Sequence, residues 1–547
     1  MNLLTDRWIP VDRIAGGCTL LIAPWELTAS FEHGSVSALA YPKPELNGSI
    51  MQFLIGWLQT VVPENEDEDD WEELYFNPPS PEQLKAWSAE WVSAFELDGD
   101  GPRFMQDADN SIEDGTLTSV GALLLDSPGE NTLKQNIDHF VKRDSISKLS
   151  PNLVAAALFN LQLNAPGGGT GYRTSMRGAG PLTTLVVPDS CSSHTTLWQK
   201  IWLNVFDWNS FSQQYYCERP VGPTSEIFPW LGQTRTSDSK KGGRNTTPDD
   251  VHPLQVYWSM PRRIRLVVDT GVMGRCDLSG AEHCHVITHF HAKNYGTNYE
   301  GAWNHPLSPY YFDKDGNSLP MHAHSDGFNY RHWLGLISDK EGSKTPARIV
   351  HNAMASSRLR GERLRVWAYG YDIVNNMKAS AWYESTYPIY PPSDTVTSQA
   401  FDGTVTALIE ASDLARAYLQ KSVKAAWFRR PSEKKGDTSV IDLSFWRRTE
   451  PGFYSCLDEL HQALKIESAD TQTAREVVKL RWWKLLKRDC IIQFDTLTSS
   501  GDFRQADPKR IAIARGDLRR SMNGKKLRLE VLDLPVNVKE SIETSTS

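Results

Sequence analysis

Cysteine is scarce and unpaired in this chain: seven residues in 547, scattered and odd in number. That excludes a disulfide framework and makes a reducing cytoplasm the expected compartment. Long hydrophobic runs are missing as well. The nearest candidate, Ile50 to Val62, is interrupted by Gln52, Gly56, Gln59 and Thr60. It falls short of the ~18 apolar residues that read as a membrane span and suits a buried helix, so no membrane partner is expected. The first ten residues carry no basic stretch followed by an apolar core, so no signal peptide is expected. Positive charge is in deficit, with 58 Lys+Arg against 67 Asp+Glu and a net charge of −9.

The deficit is uneven. Residues 401–547 hold 26 basic and 21 acidic residues, leaving 32 basic and 46 acidic for residues 1–400. An acidic large domain argues against broad, independent DNA binding, which shows a basic footprint. A small local contact inside a larger assembly remains compatible. The bland alternative is that a mildly basic helical domain is only soluble surface.

What the sequence does hold is one glycine-rich stretch, Asn164 to Gly180, in which six of seventeen residues are glycine: Gly167, Gly168, Gly169, Gly171, Gly178 and Gly180. Glycine lets the backbone come close to a partner, and bare N–H groups donate to anions or base edges. Tyr172, Arg173 and Arg177 follow the first four. Leu153–Phe159 reads as a short apolar helix before the loop and Leu182–Val187 as a strand after it. A phosphate-binding P-loop is excluded because Tyr172-Arg173 stands where Lys-Ser/Thr is required and the strand follows the loop. The dinucleotide pattern fails for the same reason. The plain alternative is a tight connection.

Around this stretch the periodicities define an α+β protein. A large mixed α/β domain is expected over residues 1–390 and a four-helix bundle over 395–547, divided by Pro388, Pro391 and Pro392. Strands are expected at Trp8–Val11, Cys18–Ile22, within 255–269 and at Arg363–Tyr371, the last leading into a turn at Asn375–Ala379. Helices are expected near 47–61 and over 81–96, where Leu84, Trp87, Trp91 and Phe95 recur. The acidic run Glu64–Glu73 reads as a solvated loop, and Asp313–Asn317 as a turn rather than a calcium loop. Residues 134–148, with His139-Phe-Val-Lys-Arg143, read as a weakly structured basic loop suited to nucleic acid. In the bundle, Val405, Leu408, Ser412, Ala415, Leu419 and Val423 mark one stripe. Tyr454, Leu457, Leu460 and Leu464 end a second. Ala474, Val477, Leu480, Trp483, Leu486 and Cys490 form a third, and Ile511, Ala514 and Leu518 a fourth. Cys276, His283, Cys284, His285, His289 and His291 crowd sixteen residues. Zinc suits such ligands, but a Cys-x-x-Cys pair is absent, and a hairpin with surface histidines is the other reading. No cofactor is expected.

Asn2-Leu-Leu-Thr-Asp-Arg-Trp-Ile-Pro-Val11, Ala157–Asn160, Ala165–Gly169, Met176–Gly178 with Pro181–Thr184, Trp303–Pro309, and Tyr369–Asp372 with Asn376–Ala379 together resemble CasA, the large subunit of the type I-E CRISPR surveillance complex, Cascade. The similarity spans nearly the whole chain. It implies a non-catalytic subunit that checks the short motif flanking the target (the PAM) from the minor groove, helps open the duplex and presents a platform for a helicase–nuclease. The implied partners are the other Cascade subunits, the 5′ region of the guide RNA, target DNA and that nuclease. The family's glycine loop falls on Gly167, Gly168, Gly169 and Thr170, the last standing where the family has Gly. The PAM-contacting lysine matches Lys293. The hairpin wedge matches Asn376, Met377, Lys378 and Ala379, with Lys378 or Met377 in place of the family's Gln. The flexible docking loop places Phe140, Val141 and Lys142. The family's zinc pairs are not matched beyond Cys276.

Two other functions compete. A glycosidase cleft would use two carboxylates, with some of the 19 Trp as sugar platforms, but no carboxylate pair stands out and Trp is more often core. A pure scaffold would dock partners through the bundle without touching DNA.

Overall fold

The computed structural model describes residues 1–127, 145–189, 195–269, 272–323, 327–340, 342–355, 362–375, 377–392, 394–429, 438–466, 470–499 and 507–534. The fold is α+β. It divides into two units, Met1–Gly327 with Gly335–Ile389, and Phe328–Leu334 with the chain from Tyr390 onward.

The first unit is built around helix Pro44–Val61, buried on almost every face. A helix buried all round demands neighbours all round. Phe53 is the hub: Trp8, Phe95, Phe104, Phe159 and Trp258 meet its ring edge-on at centroid distances of 5.5 to 5.9 Å. Such edge-to-face contacts add to area burial. Gly48 is required by packing, since a Cβ there would stand 2.8 Å from the Tyr369 ring. Beside this helix lies a second buried one, Pro151–Asn164, with Pro at its first turn.

Two small sheets carry the regions of interest. In one, His289–Lys293 lies between Thr116–Ser119 and Arg263–Val267, antiparallel to both, with Lys293 opposite Arg263. In the other, Leu364–Val374 lies between Thr183–Pro188 and Lys378–Pro388. Leu364–Val374 and Lys378–Pro388 form a hairpin whose register shifts at Asp372/Ile373, a bulge that bends the hairpin near its tip.

Three expectations for this unit need correction. The helix expected over 81–96 is α-helical only at Pro81–Ser88 and continues as the 3₁₀ segment Ala89–Phe95. The acidic run is not a loop: Glu68–Phe76 is a helix. Asp67 caps it, accepting from the Asp69 and Asp70 N–H groups, and Glu68, Asp69 and Asp70 fill its first turn. Negative charge is favoured at that end, while Trp71, Leu74 and Tyr75 bury the other face. Within 255–269, only Arg263–Val267 is a strand. Pro253–Tyr257 is a 3₁₀ turn, capped by the His252 ring accepting from the Leu254 N–H.

Among the described residues, the second unit contains four long α-helices, Thr395–Trp427, Ser439–Leu464, Thr471–Ser499 and Pro508–Met522, followed by the short π-helical turn Lys526–Val531. The first stripe is buried as expected. The third is displaced by one position in its first half: Val478 and Trp482 are buried, whereas Val477 is 39% exposed. Adjacent tryptophans at 482 and 483 fit either register. Trp482 goes inside, its indole N–H donating to Leu408 O at 3.0 Å, and Trp483 donates to Met522 O at 2.8 Å. The segment Phe328–Leu334 belongs to this unit. Tyr330 stacks on Phe453 at 4.3 Å and shares a 2.9 Å hydrogen bond with Thr449.

His305 gives the fold a pH signature. It is fully buried, its Nδ1 accepts from the Leu307 N–H at 3.1 Å, and burial pushes its pKa well below the usual value. Below pH ~6.5 the unfolded chain therefore takes up a proton that the folded chain does not. Stability should fall with declining pH by up to ~1.4 kcal/mol per unit from this residue. Urea unfolding from pH 7 to pH 5 checks this. His305→Asn, which keeps the acceptor, should flatten the slope by about one proton; an unchanged slope contradicts the assignment.

Candidate nucleic-acid interface

The glycine stretch begins where Pro151–Asn164 ends, and that last turn is held by buried polar groups. Asn160 accepts from Ser49 Oγ at 2.7 Å and donates to Tyr371 Oη at 3.2 Å, and Asn164 donates to Asn160 Oδ1 at 3.0 Å. Gln162 donates to Met105 O and Arg262 O and accepts from the Arg262 N–H at 2.9 Å. Each buried group is partnered, as burial requires. The loop is closed at its base by the Ser175 N–H donating to Ala165 O at 3.1 Å, and Gly180 donates to Asn164 O.

The two arginines of the stretch are structural. Arg177 is buried and donates to Gln52 Oε1, Thr183 Oγ1 and Ser308 Oγ at 2.9 to 3.0 Å, and burial lowers its pKa to about 10. Arg173 is spent on Ser237, with Nε 2.7 Å from its Oγ. Tyr172 is 38% exposed, with the Arg262 guanidinium 4.8 Å over its ring. Burial likewise lowers the Arg262 pKa to about 10, and its guanidinium donates to Pro166 O.

Between these anchors the main chain emerges. Gly167 is half-buried, and Gly168, Gly169 and Thr170 are exposed. Their reasons for being glycine differ. A Cβ on Gly168 would stand 2.6 Å from Tyr172 Cβ; Gly171 has φ +80° and abuts Asn294 and Tyr295. Gly169 has open space around its missing Cβ and no positive φ. The fold itself therefore accounts for Gly168 and Gly171 but not for Gly169.

The loop touches both sheets. On one side the Tyr295 N–H donates to Gly171 O at 2.7 Å, two residues beyond Lys293 at its strand's end. Lys293 is half-buried and in no ion pair among the described residues. On the other side Gly180 packs against Ile373 and Tyr371 O, next to the hairpin turn. That turn is closed by the Met377 N–H donating to Val374 O at 3.1 Å, with Asn375 at φ 52°, a conformation that Asn tolerates. Met377 is 57% exposed, Lys378 is exposed and Ala379 half-buried. Asn376, Phe140, Val141 and Lys142 lie outside the described residues.

Tyr295 and Ser237 had no local signal; their roles appear only once distant segments meet. Ser237 donates to Gly296 O at 2.7 Å while accepting from Arg173. The histidine segment is divided: Cys276 is buried, 3.7 Å from Ser150 Oγ, while Cys284 is exposed beside His285 Nδ1. Among the described residues, no three or more His, Cys, Asp or Glu side chains converge as metal ligands would. No described helix is long and apolar enough to cross a membrane.

The two exposed glycines should respond differently when a methyl is added. Gly168→Ala, forced against Tyr172, should lose about 1–3 kcal/mol of stability. Gly169→Ala should change it by less than about 1 kcal/mol in either direction. Thermal and urea unfolding of the purified chain check both, and equal losses would contradict the packing described.

A sequence model of the family described as CRISPR-associated protein Cse1 matches residues 2–488. Solved structures agree in fold at low identity. Thermobifida fusca Cse1 superposes with a TM-score of 0.71 at 14% identity, covering 96% of this chain and 98% of that one. Thermus thermophilus CasA (Cse1) gives 0.64 at 16%, covering 95% and 99%. A chain of a CRISPR RNA-guided surveillance complex gives 0.66 at 14%, covering 96% and 99%. With the family sequence matched over nearly the whole chain and the fold shared end to end, the chain belongs to the Cse1 family, whose members are also called CasA.

Proposed function

We propose that this chain is the non-catalytic large subunit of a type I-E RNA-guided surveillance complex. It inspects the PAM through the minor groove, helps open the target duplex and recruits the helicase–nuclease. Its partners are then the other Cascade subunits, the 5′ region of the guide RNA, target DNA and that nuclease. The single observation carrying the reading is Gly169, a bare, exposed residue that the subunit's own packing does not require. Close approach by an outside partner supplies the missing reason.

The chemistry fits. The minor groove presents acceptors at every base pair and one extra donor at G·C. The main-chain N–H groups of Gly167–Gly169 and the ammonium of Lys293 are donors. A reader of this type tolerates several PAM sequences, because that edge code is degenerate. At the hairpin tip, exposed Met377 suits the role of an apolar wedge, which offsets the few kcal/mol of unstacking by filling the opened step. Lys378 beside it suits the adjacent backbone. Guide pairing then replaces duplex pairing almost evenly, so small protein contacts decide the outcome. Phe140, Val141 and Lys142 are assigned to docking within the complex.

The test is target binding by the reconstituted complex across a PAM library. Gly169→Asp or Lys293→Ala should weaken binding to preferred PAMs on the order of tenfold or more and flatten discrimination, without loss of fold or incorporation. Unchanged discrimination in both contradicts the reading. Met377→Ser should slow duplex opening, followed by 2-aminopurine fluorescence at the first base pair. A pre-opened target should restore the rate; equal slowing on both targets would remove the wedge role.

A further inference from the structure

A pair of cations, Lys240 and Lys241, stands on a turn tied to the glycine stretch through Ser237 and makes no ion pair among the described residues. Residues 239–244 read Ser-Lys-Lys-Gly-Gly-Arg. Ser239–Lys241 is a single 3₁₀ turn, capped by Asp238 accepting from the Lys240 N–H and ended by Gly242 at φ +77°. Gly243 donates to Asp238 O at 2.8 Å and Arg244 to Thr236 O at 3.0 Å. The turn is thus wound tightly on its own backbone. A Cβ on Gly243 would strike the Asp238 main chain.

Its base is pinned to the loop region. Ser237 N–H donates to Tyr295 O at 3.2 Å, Ser237 Oγ donates to Gly296 O and accepts from Arg173 of the glycine stretch. Farther along, the Thr246 N–H donates to Asn298 O at 2.8 Å. Lys240 and Lys241 are only three and four residues from Ser237, within roughly 14 Å even fully extended. Both are exposed, and neither is in an ion pair among the described residues. The Arg244 guanidinium, by contrast, is 3.6 Å from Asp250. Free lysines on a rigid turn, in the more acidic part of the chain, supply a positive spot and no hydrogen-bond code. A polyanion with regularly spaced charges matches that, and base edges do not.

We propose that Lys240 and Lys241 clamp backbone phosphates of the duplex flanking the PAM. They add affinity that is blind to sequence, while Gly169 and Lys293 carry discrimination. This rests on the PAM-reading assignment above. Each phosphate neutralised contributes about −0.9 to the slope of log K against log salt.

The experiment measures that slope for the assembled complex on a matched target, with wild-type subunit and with Lys240→Ala/Lys241→Ala. Thermal unfolding and incorporation of the variant are followed in parallel. The slope should become shallower by about one to two, binding at low salt should weaken several-fold for every PAM alike, and PAM ranking should stay fixed. An unchanged slope overturns the clamp while leaving PAM reading intact. Failure of the variant to enter the complex overturns it in favour of a protein-docking surface. A change in PAM ranking overturns the division of labour. Absence of PAM dependence in the wild-type complex removes the reading beneath it as well.

Discussion

The guanidinium of Arg177, sunk among Gln52, Thr183 and Ser308, is the constraint from which the rest of the first unit follows. A buried charge is tolerated only where hydrogen bonds surround it, and these three partners sit on a helix, a strand and a loop far apart in sequence. Satisfying them fixes where helix Pro44–Val61 and strand Thr183–Pro188 stand relative to the glycine stretch. Asn160, Gln162 and Asn164 do the same at the stretch's other end. The exposed main chain between is therefore held by buried polar groups rather than by its own side chains, which is the kind of support that preorganises a binding loop.

The stretch meets Tyr295 beside one sheet and Ile373 beside the other. One sheet ends at half-buried Lys293, and the hairpin of the other carries exposed Met377 and Lys378. A donor surface, an amine and an apolar tip are thus carried on rigid elements of one unit. Their chemistry suits inspecting and prying a duplex. The bulge at Asp372/Ile373, tied by Ser380 Oγ to Asp372 Oδ2 at 2.6 Å, sets the lean of that tip.

Much of the fold was legible because it obeyed simple periodicities. The buried helices, the hairpin and most of the bundle stripes follow from apolar spacing alone. The misses share a cause: local rules were outweighed by contacts to distant segments. Glu64–Glu73 read as a solvated loop, yet its acids suit a helix start and Trp71 and Tyr75 anchor the far face. Trp482 and Trp483 are equally apolar, and only packing against Leu408 chooses between them. At the site, sequence pointed to the glycines but not to which were free of structural duty. That distinction needs the position of Tyr172 and Tyr295. Nor did it show that Arg173 and Arg177, which follow the glycines, are both consumed by protein partners. Lys240 and Lys241 carried no signal until Ser237 tied their turn to the loop.

In the proposed role, the main chain of Gly167–Gly169 and the Lys293 ammonium lie against the minor-groove edge of the flanking duplex. The most direct measurement is a structure of the assembled complex on a PAM-bearing target. The expected result is backbone N–H groups of these glycines and the Lys293 ammonium within hydrogen-bond distance of base-edge acceptors in that groove. The same segment covered by another protein subunit, with no nucleotide near it, would contradict it.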